Sequence, residues 1–190
     1  MPSIICGIDE AGRGCLAGPV VSAAIIIDKA GIPEGVDDSK KLSDTKRREL
    51  CRLILKYAAA YSIGLSSNKE VDMLNVLKAS LLSMERAFAG LPFNPDIVIV
   101  DGPFVPPALA LLSKKQGLKA IPVIKGDEKV RIVSCASIVA KVFRDDIMLS
   151  LDRRYPQYGF KNHKGYGTKE HKENLERFGM SEIHRKTFKF

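Results

Sequence analysis

The sequence pairs none of its four cysteines (Cys6, Cys15, Cys51, Cys135) in a CxxC spacing, and none of its apolar runs reaches the ~18 residues a membrane span needs. The first absence argues against a zinc ribbon or a disulfide framework. Cys6 and Cys135 sit in apolar runs and read as buried, reduced thiols. The N-terminus, MPSIICGIDEAGRG, has no basic segment followed by an apolar stretch and a cleavage site. A soluble, cytoplasmic protein is expected. There is also no low-complexity tract, no repeat and no linker, so the 190 residues are expected to form one domain, with 155–190 as a basic helical and irregular extension. No convincing serine, cysteine or histidine triad is visible. The three histidines (His163, His171, His184) all fall in the basic tail and read as exposed or phosphate-contacting side chains.

What is present is a core and a charge pattern. Hydrophobic residues make up 45% and charged residues 27%, which excludes disordered and collagen-like chains. The net charge of +8 is uneven: residues 141–190 carry +5, residues 38–56 carry +4, and the rest is close to neutral. Clustered Lys and Arg gain by displacing condensed counterions, so nucleic acid is the favoured partner, with a merely basic surface as the plain alternative.

Periodicity supplies the elements. Ser3–Asp9 and Pro19–Asp28 read as strands joined by a Gly-rich turn. Ser43 is placed to cap a helix whose apolar positions are Leu50, Leu53, Ile54 and Tyr57. Tyr61–Ser66 is a third strand, and Asn68 is placed to cap a helix with Leu74, Leu77, Leu81 and Met84 on one face. Asp96–Asp101 is a short strand, Pro106–Lys115 a helix, Leu118–Val123 a fifth strand and Val130–Leu151 a long helix, with a short tail helix near Lys169–Phe178. This order predicts an α/β fold, a mixed sheet with helices on both faces. Sites in such sheets form at strand carboxyl ends, where Asp9 and Asp101 are expected to be neighbours.

Asp9-Glu10, Asp101 and Asp127 are therefore the candidate acids. Each has a plainer reading alone: solvated loop carboxylates, an Asp-Gly turn, a helix cap. Together, on a basic chain, they suggest a cation site, because converging carboxylates repel unless neutralised and hard oxygen ligands suit Mg²⁺ or Mn²⁺. Adjacent strand residues point to opposite faces, so Asp9 and Glu10 are expected to share a site only where the strand ends or bulges.

The segment GIDEAGRGCLAGPVV resembles the opening of ribonuclease HII. So do DDSKKLS (Asp37–Ser43), VDMLNVLKAS (Val71–Ser80), IVIVDG (Ile97–Gly102), KGDEKVRIVSCASIVAKVFRD (Lys125–Asp145), YPQYGFKNHKGYGT (Tyr155–Thr168) and SEIHRKTF (Ser181–Phe188), in the family's order along nearly the whole chain. The resemblance implies the ribonuclease H-like fold, a five-stranded mixed sheet with a C-terminal helical tail. It further implies a Mg²⁺- or Mn²⁺-dependent endonuclease, two ions at work, that cuts RNA in RNA–DNA hybrids and incises 5′ to single ribonucleotides in duplex DNA, leaving 3′-hydroxyl and 5′-phosphate ends. Matched position by position, the catalytic, metal-holding acids are Asp9, Glu10, Asp101 and Asp127, and the substrate-binding Gly-Arg-Gly motif is Gly12, Arg13 and Gly14. The junction-sensing tyrosine is Tyr166, and Lys40, Lys41 and Lys141 resemble positions near the nucleic acid. Cys15 departs from the pattern, standing where the family usually has a proline that would stiffen the turn. No glutamine-led sliding-clamp motif follows HRKTF, so no clamp partner is expected, and a monomer is.

The chemistry suits these residue types. Phosphodiester hydrolysis needs an activated water and help for the leaving oxygen, which two cations held by shared carboxylates supply without a side-chain nucleophile. A single ribonucleotide in DNA is marked by its 2′-OH, and Gly12 and Gly14 would let the main chain approach it, although the same glycines also suit a simple tight turn. Tyr166 alone reads equally as a half-buried loop tyrosine. Three alternatives differ in what they require: a ribonuclease HIII-like enzyme, whose extra N-terminal domain is not expected ahead of a first strand so near Met1; a non-catalytic basic binding module, which four acids would hinder; and a phosphatase of small phosphoesters, which would not need two basic zones.

Overall fold

The computed structural model describes residues 3–36, 39 and 42–189. Five strands form the central sheet: β1 (Ile5–Ala11), β2 (Val20–Ile26), β3 (Ala60–Ser66), β4 (Ile97–Asp101) and β5 (Lys119–Val123). Their order is β3-β2-β1-β4-β5. β1–β2 and β2–β3 are antiparallel, the first pair joined by residues 12–19 and the second by a longer stretch that contains a helix, whereas β1–β4 and β4–β5 are parallel. The sheet is mixed and five-stranded, as the sequence predicts.

Alternation along β2 divides the core into two layers. Ala23 and Ile25 face α1 (Asp44–Tyr57) and α6 (Arg131–Arg154), packing on Leu50, Ile54, Ile138 and Val139. Ala24 and Ile26, with Cys6, Ile8, Val98 and Val100, face α3 (Val76–Ala89) and α4 (Pro107–Gln116) through Met84, Ala87, Phe88 and Leu109. Helices thus cover both faces. Each fully buried Leu, Ile or Val contributes about 1.5–3 kcal/mol relative to exposure. The N-terminal half of α6 is apolar nearly all round because it lies across β1 and β2, and Gly7 permits that approach: a Cβ there would stand 2.5 Å from the Ile132 carbonyl oxygen.

Ser43 caps α1 as expected, its hydroxyl accepting from the Lys46 amide, and the buried Arg47 donates to the carbonyls of Ser39 and Leu42 just ahead of that helix. The helix expected from Asn68 onward is two helices, α2 (Asn68–Leu74) and α3. Ser67, not Asn68, caps the first, in a capping box with Glu70. Asn75 then breaks the run at φ 68° and ψ 162°, a backbone region outside the left-handed helical one and costly for a residue with a Cβ, and caps α3 by accepting from Lys78 N–H. The long helix is preceded by a separate turn of helix, α5 (Gly126–Lys129).

The tail adds α7 (Phe160–His163) and α8 (Lys169–Phe178). It packs back on the body: Tyr158, Phe160 and Leu175 join Leu16, Ala17 and Met148 in a third apolar cluster. Asp72 accepts from the Lys186 and Thr187 amides, and the Asn68 amide donates to the carbonyls of Glu182 and His184. The histidine expectation is overturned here. His163, His171 and His184 are all buried, because this packing folds the basic tail around them and leaves its lysines outside. All four cysteines are buried and free. Among the described residues no helix is long and apolar enough to cross a membrane.

Candidate active site

Asp101 ends β4, but Asp9 does not end β1, which runs on through Glu10 to Ala11 in regular register with β2. No bulge turns these residues to one face. Asp9 leaves the sheet toward α6, whose Ser137 hydroxyl hydrogen-bonds to it. Glu10 leaves on the α3 side, beside Leu77, Ser80 and Met84. They converge because the β1–β4 ladder closes at Ile8 with Val100, so β1 presents an uncovered edge beyond that pair. One carboxylate oxygen each from Asp9, Glu10 and Asp101 lies within 4.8 Å of the others.

Main-chain amides and neighbouring side chains fix these groups. Asp9 Oδ1 accepts from the Glu10 amide at 2.6 Å, and Asp101 Oδ1 from the Gly126 amide at 2.6 Å, at the start of α5. Ser137 is braced in turn by Ser39, hydroxyl to hydroxyl at 2.9 Å. Arg13 donates to Glu10 Oε1 at 3.3 Å. Burial, then the charges of Glu10 and Asp101, hold the Asp9 carboxyl well above the usual carboxylate range. Burial also raises Glu10, with Arg13 opposing and Asp101 adding to the rise. Asp101 is raised by burial and by Asp127, against the pull of the amides of Gly126 and Asp127. Such a set favours a neutralising cation, and hard carboxylate oxygens fit Mg²⁺ or Mn²⁺.

Asp127 sits in the first turn of α5 and is buried; it lines the same cavity but falls outside the three-carboxylate group. That cavity, of about 330 Å³, is also lined by Gly12, Arg13, Gly14, Lys141 and Tyr166. The fold therefore gathers every predicted site residue it describes around one opening. Lys40 and Lys41 lie outside the described residues.

The wall opposite the acids is built from distant pieces of chain. Cys15 and Tyr166 form an isolated antiparallel bridge, and the Leu16 amide donates to the Gly165 carbonyl. The Tyr166 ring is 40% exposed and lies over the Lys141 ammonium at 5.4 Å and the Arg144 guanidinium at 5.7 Å. Lys141 is paired with Asp145 at 2.6 Å. Burial pushes the Cys15 thiol up despite three nearby cations.

Two buried arginines, to which the sequence reading gave no role, shape the turn. Arg185 donates to the carbonyls of Gly12 and Arg13, at 2.8 Å each, and to Gly18; burial pulls its pKa down to about 10. Arg144 donates to the carbonyls of Ala17, Pro19 and Lys164 and runs directly beneath Gly12. Both lie inside sequence blocks quoted above, yet nothing local marks an arginine whose partners are main-chain carbonyls, all but that of Lys164 more than a hundred residues away. Together they fasten the main chain of residues 12–19 with donors from outside the turn.

Comparison with known proteins agrees with this geometry. The family model described as Ribonuclease HII matches residues 6–190. Ribonuclease HII of Clostridioides difficile strain 630 is 48% identical over 184 residues, covering 97% of this chain and 69% of that protein. Among solved structures, ribonuclease H2 from Pyrococcus horikoshii OT3 superimposes with a TM-score of 0.78 at 30% identity, covering 97% of this chain and 93% of that one. The Archaeoglobus fulgidus RNase HII, solved in complex with PCNA, gives 0.77 at 30% identity, covering 98% and 96%.

Proposed function

The chain belongs to the ribonuclease HII family and is a ribonuclease H-type endonuclease, a phosphodiester hydrolase, and from that premise we propose how its site selects and cuts its substrate. Its substrates are RNA–DNA hybrids and duplex DNA carrying single ribonucleotides. It incises on the 5′ side of the ribonucleotide, leaving a 3′-hydroxyl and a 5′-phosphate. The observation that carries this reading is the meeting of Asp9, Glu10 and Asp101 within 4.8 Å at a cavity whose other wall is Gly12–Gly14 and Tyr166.

In this reading Asp9, Glu10 and Asp101, with Asp127 beside them, hold two Mg²⁺ or Mn²⁺ ions. Bound there, the cations would activate a water, neutralise phosphate charge and stabilise the leaving oxygen. The protein's own share is orientation. The amides of Glu10 and Gly126 hold the carboxylates of Asp9 and Asp101 in place. Gly12, Arg13 and Gly14 present main chain to the 2′-OH, the group that distinguishes the ribonucleotide. Arg185 keeps that main chain from shifting, which preserves the reacting geometry. Tyr166, held over Lys141 and Arg144, packs on the sugar of the following deoxynucleotide, where a second 2′-OH would crowd the ring. Lys141 faces the nucleic-acid backbone, and Lys40 and Lys41 are assigned there by resemblance alone.

The test is a DNA duplex containing one ribonucleotide, incubated with Mg²⁺, Mn²⁺ or EDTA. Cleavage next to the ribonucleotide with either ion and none with EDTA is expected. Metal-independent cleavage, or none at the ribonucleotide, overturns the reading.

A further inference from the structure

The three buried histidines are not used by the acids, and their hydrogen bonds determine where each ring carries its proton. The Ser181 amide donates to His184 Nδ1 at 2.9 Å, so that nitrogen is unprotonated and His184 carries its proton on Nε2. His184 Nε2 lies 3.0 Å from His171 Nε2, which must therefore accept. His171 then carries its proton on Nδ1, and Nδ1 donates to the Tyr166 carbonyl at 2.9 Å. His163 stacks on His171 with ring centres 4.4 Å apart; it accepts from the Gly165 amide and donates to the Tyr158 carbonyl. Two of the rings thus grip residues 165 and 166, His163 through the Gly165 amide and His171 through the Tyr166 carbonyl.

We propose that His184 and His171 are positioning residues: a buried relay of two neutral imidazoles that fixes the Tyr166 main chain and so sets where its ring stands at the mouth of the site. The argument for a positioning role is the end point. Tyr166 lies between Gly165, at φ 85°, and Gly167, in a segment that the Cys15 bridge and the Leu16 amide tie to the turn of residues 12–18 on one side. Its amide donates to the His163 carbonyl, and its carbonyl accepts from Thr168 N–H and from the relay. Without the relay the segment keeps its ties to residues 15 and 16 but loses the one that runs through His171 to His184. The proposal rests on the reading of Tyr166 as the residue that packs at the RNA-to-DNA junction.

Two measurements test it. Ring-nitrogen NMR of the ¹⁵N-labelled wild-type protein at neutral pH should show His184 with its proton on Nε2 and His171 with its proton on Nδ1, the rarer tautomer. A charged His171, or one protonated on Nε2, overturns the relay whatever Tyr166 does. Cleavage of a one-ribonucleotide duplex and of a uniform RNA–DNA hybrid is then compared for His171→Leu and His171→Asn, the latter keeping a donor near the Nδ1 position. His171→Leu should lose about 3- to 10-fold on the single ribonucleotide beyond any loss on the hybrid, the scale of one buried hydrogen bond. His171→Asn should recover most of that loss. Equal behaviour of the two variants, or equal losses on both substrates, contradicts a positioning role. Tyr166→Ala is run alongside: equal losses from it on the two substrates would overturn the junction reading, while the tautomers still report on the relay.

Discussion

Arg185 holds Gly12. Its guanidinium donates to the Gly12 carbonyl at 2.8 Å and to the neighbouring Arg13 carbonyl at the same distance, from a side chain only 1% exposed. The turn that follows Asp9-Glu10 is thus fastened by the far end of the sequence. Replacing Arg185 with Met removes the side-chain donors from these carbonyls and leaves Gly12 only a long bond from the Cys15 amide, a cost of about 1–3 kcal/mol. Thermal unfolding should show that loss, and single-ribonucleotide cleavage should fall further than general duplex binding. A variant as stable and active as the parent would mean the turn needs no such support.

Gly12 and Gly14 separate fold from function. Gly12 has φ 98°, and a Cβ there would stand 2.0 Å from Arg144 Nε, so Gly12→Ala should be destabilising by about 1–3 kcal/mol. Gly14 has nothing within 4 Å of its Cβ position. Gly14→Ala should therefore fold with stability changed by less than about 1 kcal/mol, yet lose cleavage, because the methyl occupies space the ribose needs. Unimpaired cleavage by Gly14→Ala would remove Gly14 from substrate recognition.

Asp127 divides in the same way. Its carboxylate lines the cavity and its charge raises Asp101, so Asp127→Asn should cripple cleavage with the fold retained. A residue acting only on α5 would instead leave turnover intact and lower stability by about 1 kcal/mol. Parallel rate and unfolding measurements distinguish the two.

Acid should weaken the fold through His184. Burial and then the neighbouring His171 lower its pKa from 6.5 to about 4. Between those values the unfolded chain takes up a proton that the folded chain refuses, so this contribution to stability falls as pH drops from about 6.5 to about 4, and is fully present above 6.5. Denaturant unfolding across that range should show a shallower pH dependence for His184→Gln than for the parent. Identical slopes would mean that His184 titrates normally in the folded protein.

The strands and the apolar faces of α1 and α6 were legible because they follow local rules of period; of the acids only Asp101 ends its strand as expected, whereas Asp9 lies two residues short of the end of β1. Asn75 was not legible: a residue that both ends α2 and starts α3 interrupts no apolar pattern, so one long helix looked continuous. The convergence of Asp9 and Glu10 was legible as a problem but not as its solution. That solution depends on how far β4 accompanies β1, which is a property of pairing, not of either segment. His163, His171 and His184 looked exposed because their neighbours in sequence are lysines and glutamates, while their burial comes from residues 16–18, 158 and 160 packing against them. Arg144 and Arg185 lie among charges too, and only the tertiary fold shows their carbonyl partners.

In the proposed mechanism the carboxylates meeting at the open edge of β1 hold the cations needed to cut the phosphodiester 5′ to a ribonucleotide. That mechanism is tested most directly by mapping the ends produced from a duplex with one ribonucleotide, using the parent protein and Asp9→Asn and Asp101→Asn. The parent should leave a 3′-hydroxyl and a 5′-phosphate on the ribonucleotide, and neither variant should give product, although both still bind the duplex. A 2′,3′-cyclic phosphate, which would come from attack by the 2′-OH itself, or near-parental turnover by either variant, would contradict the mechanism.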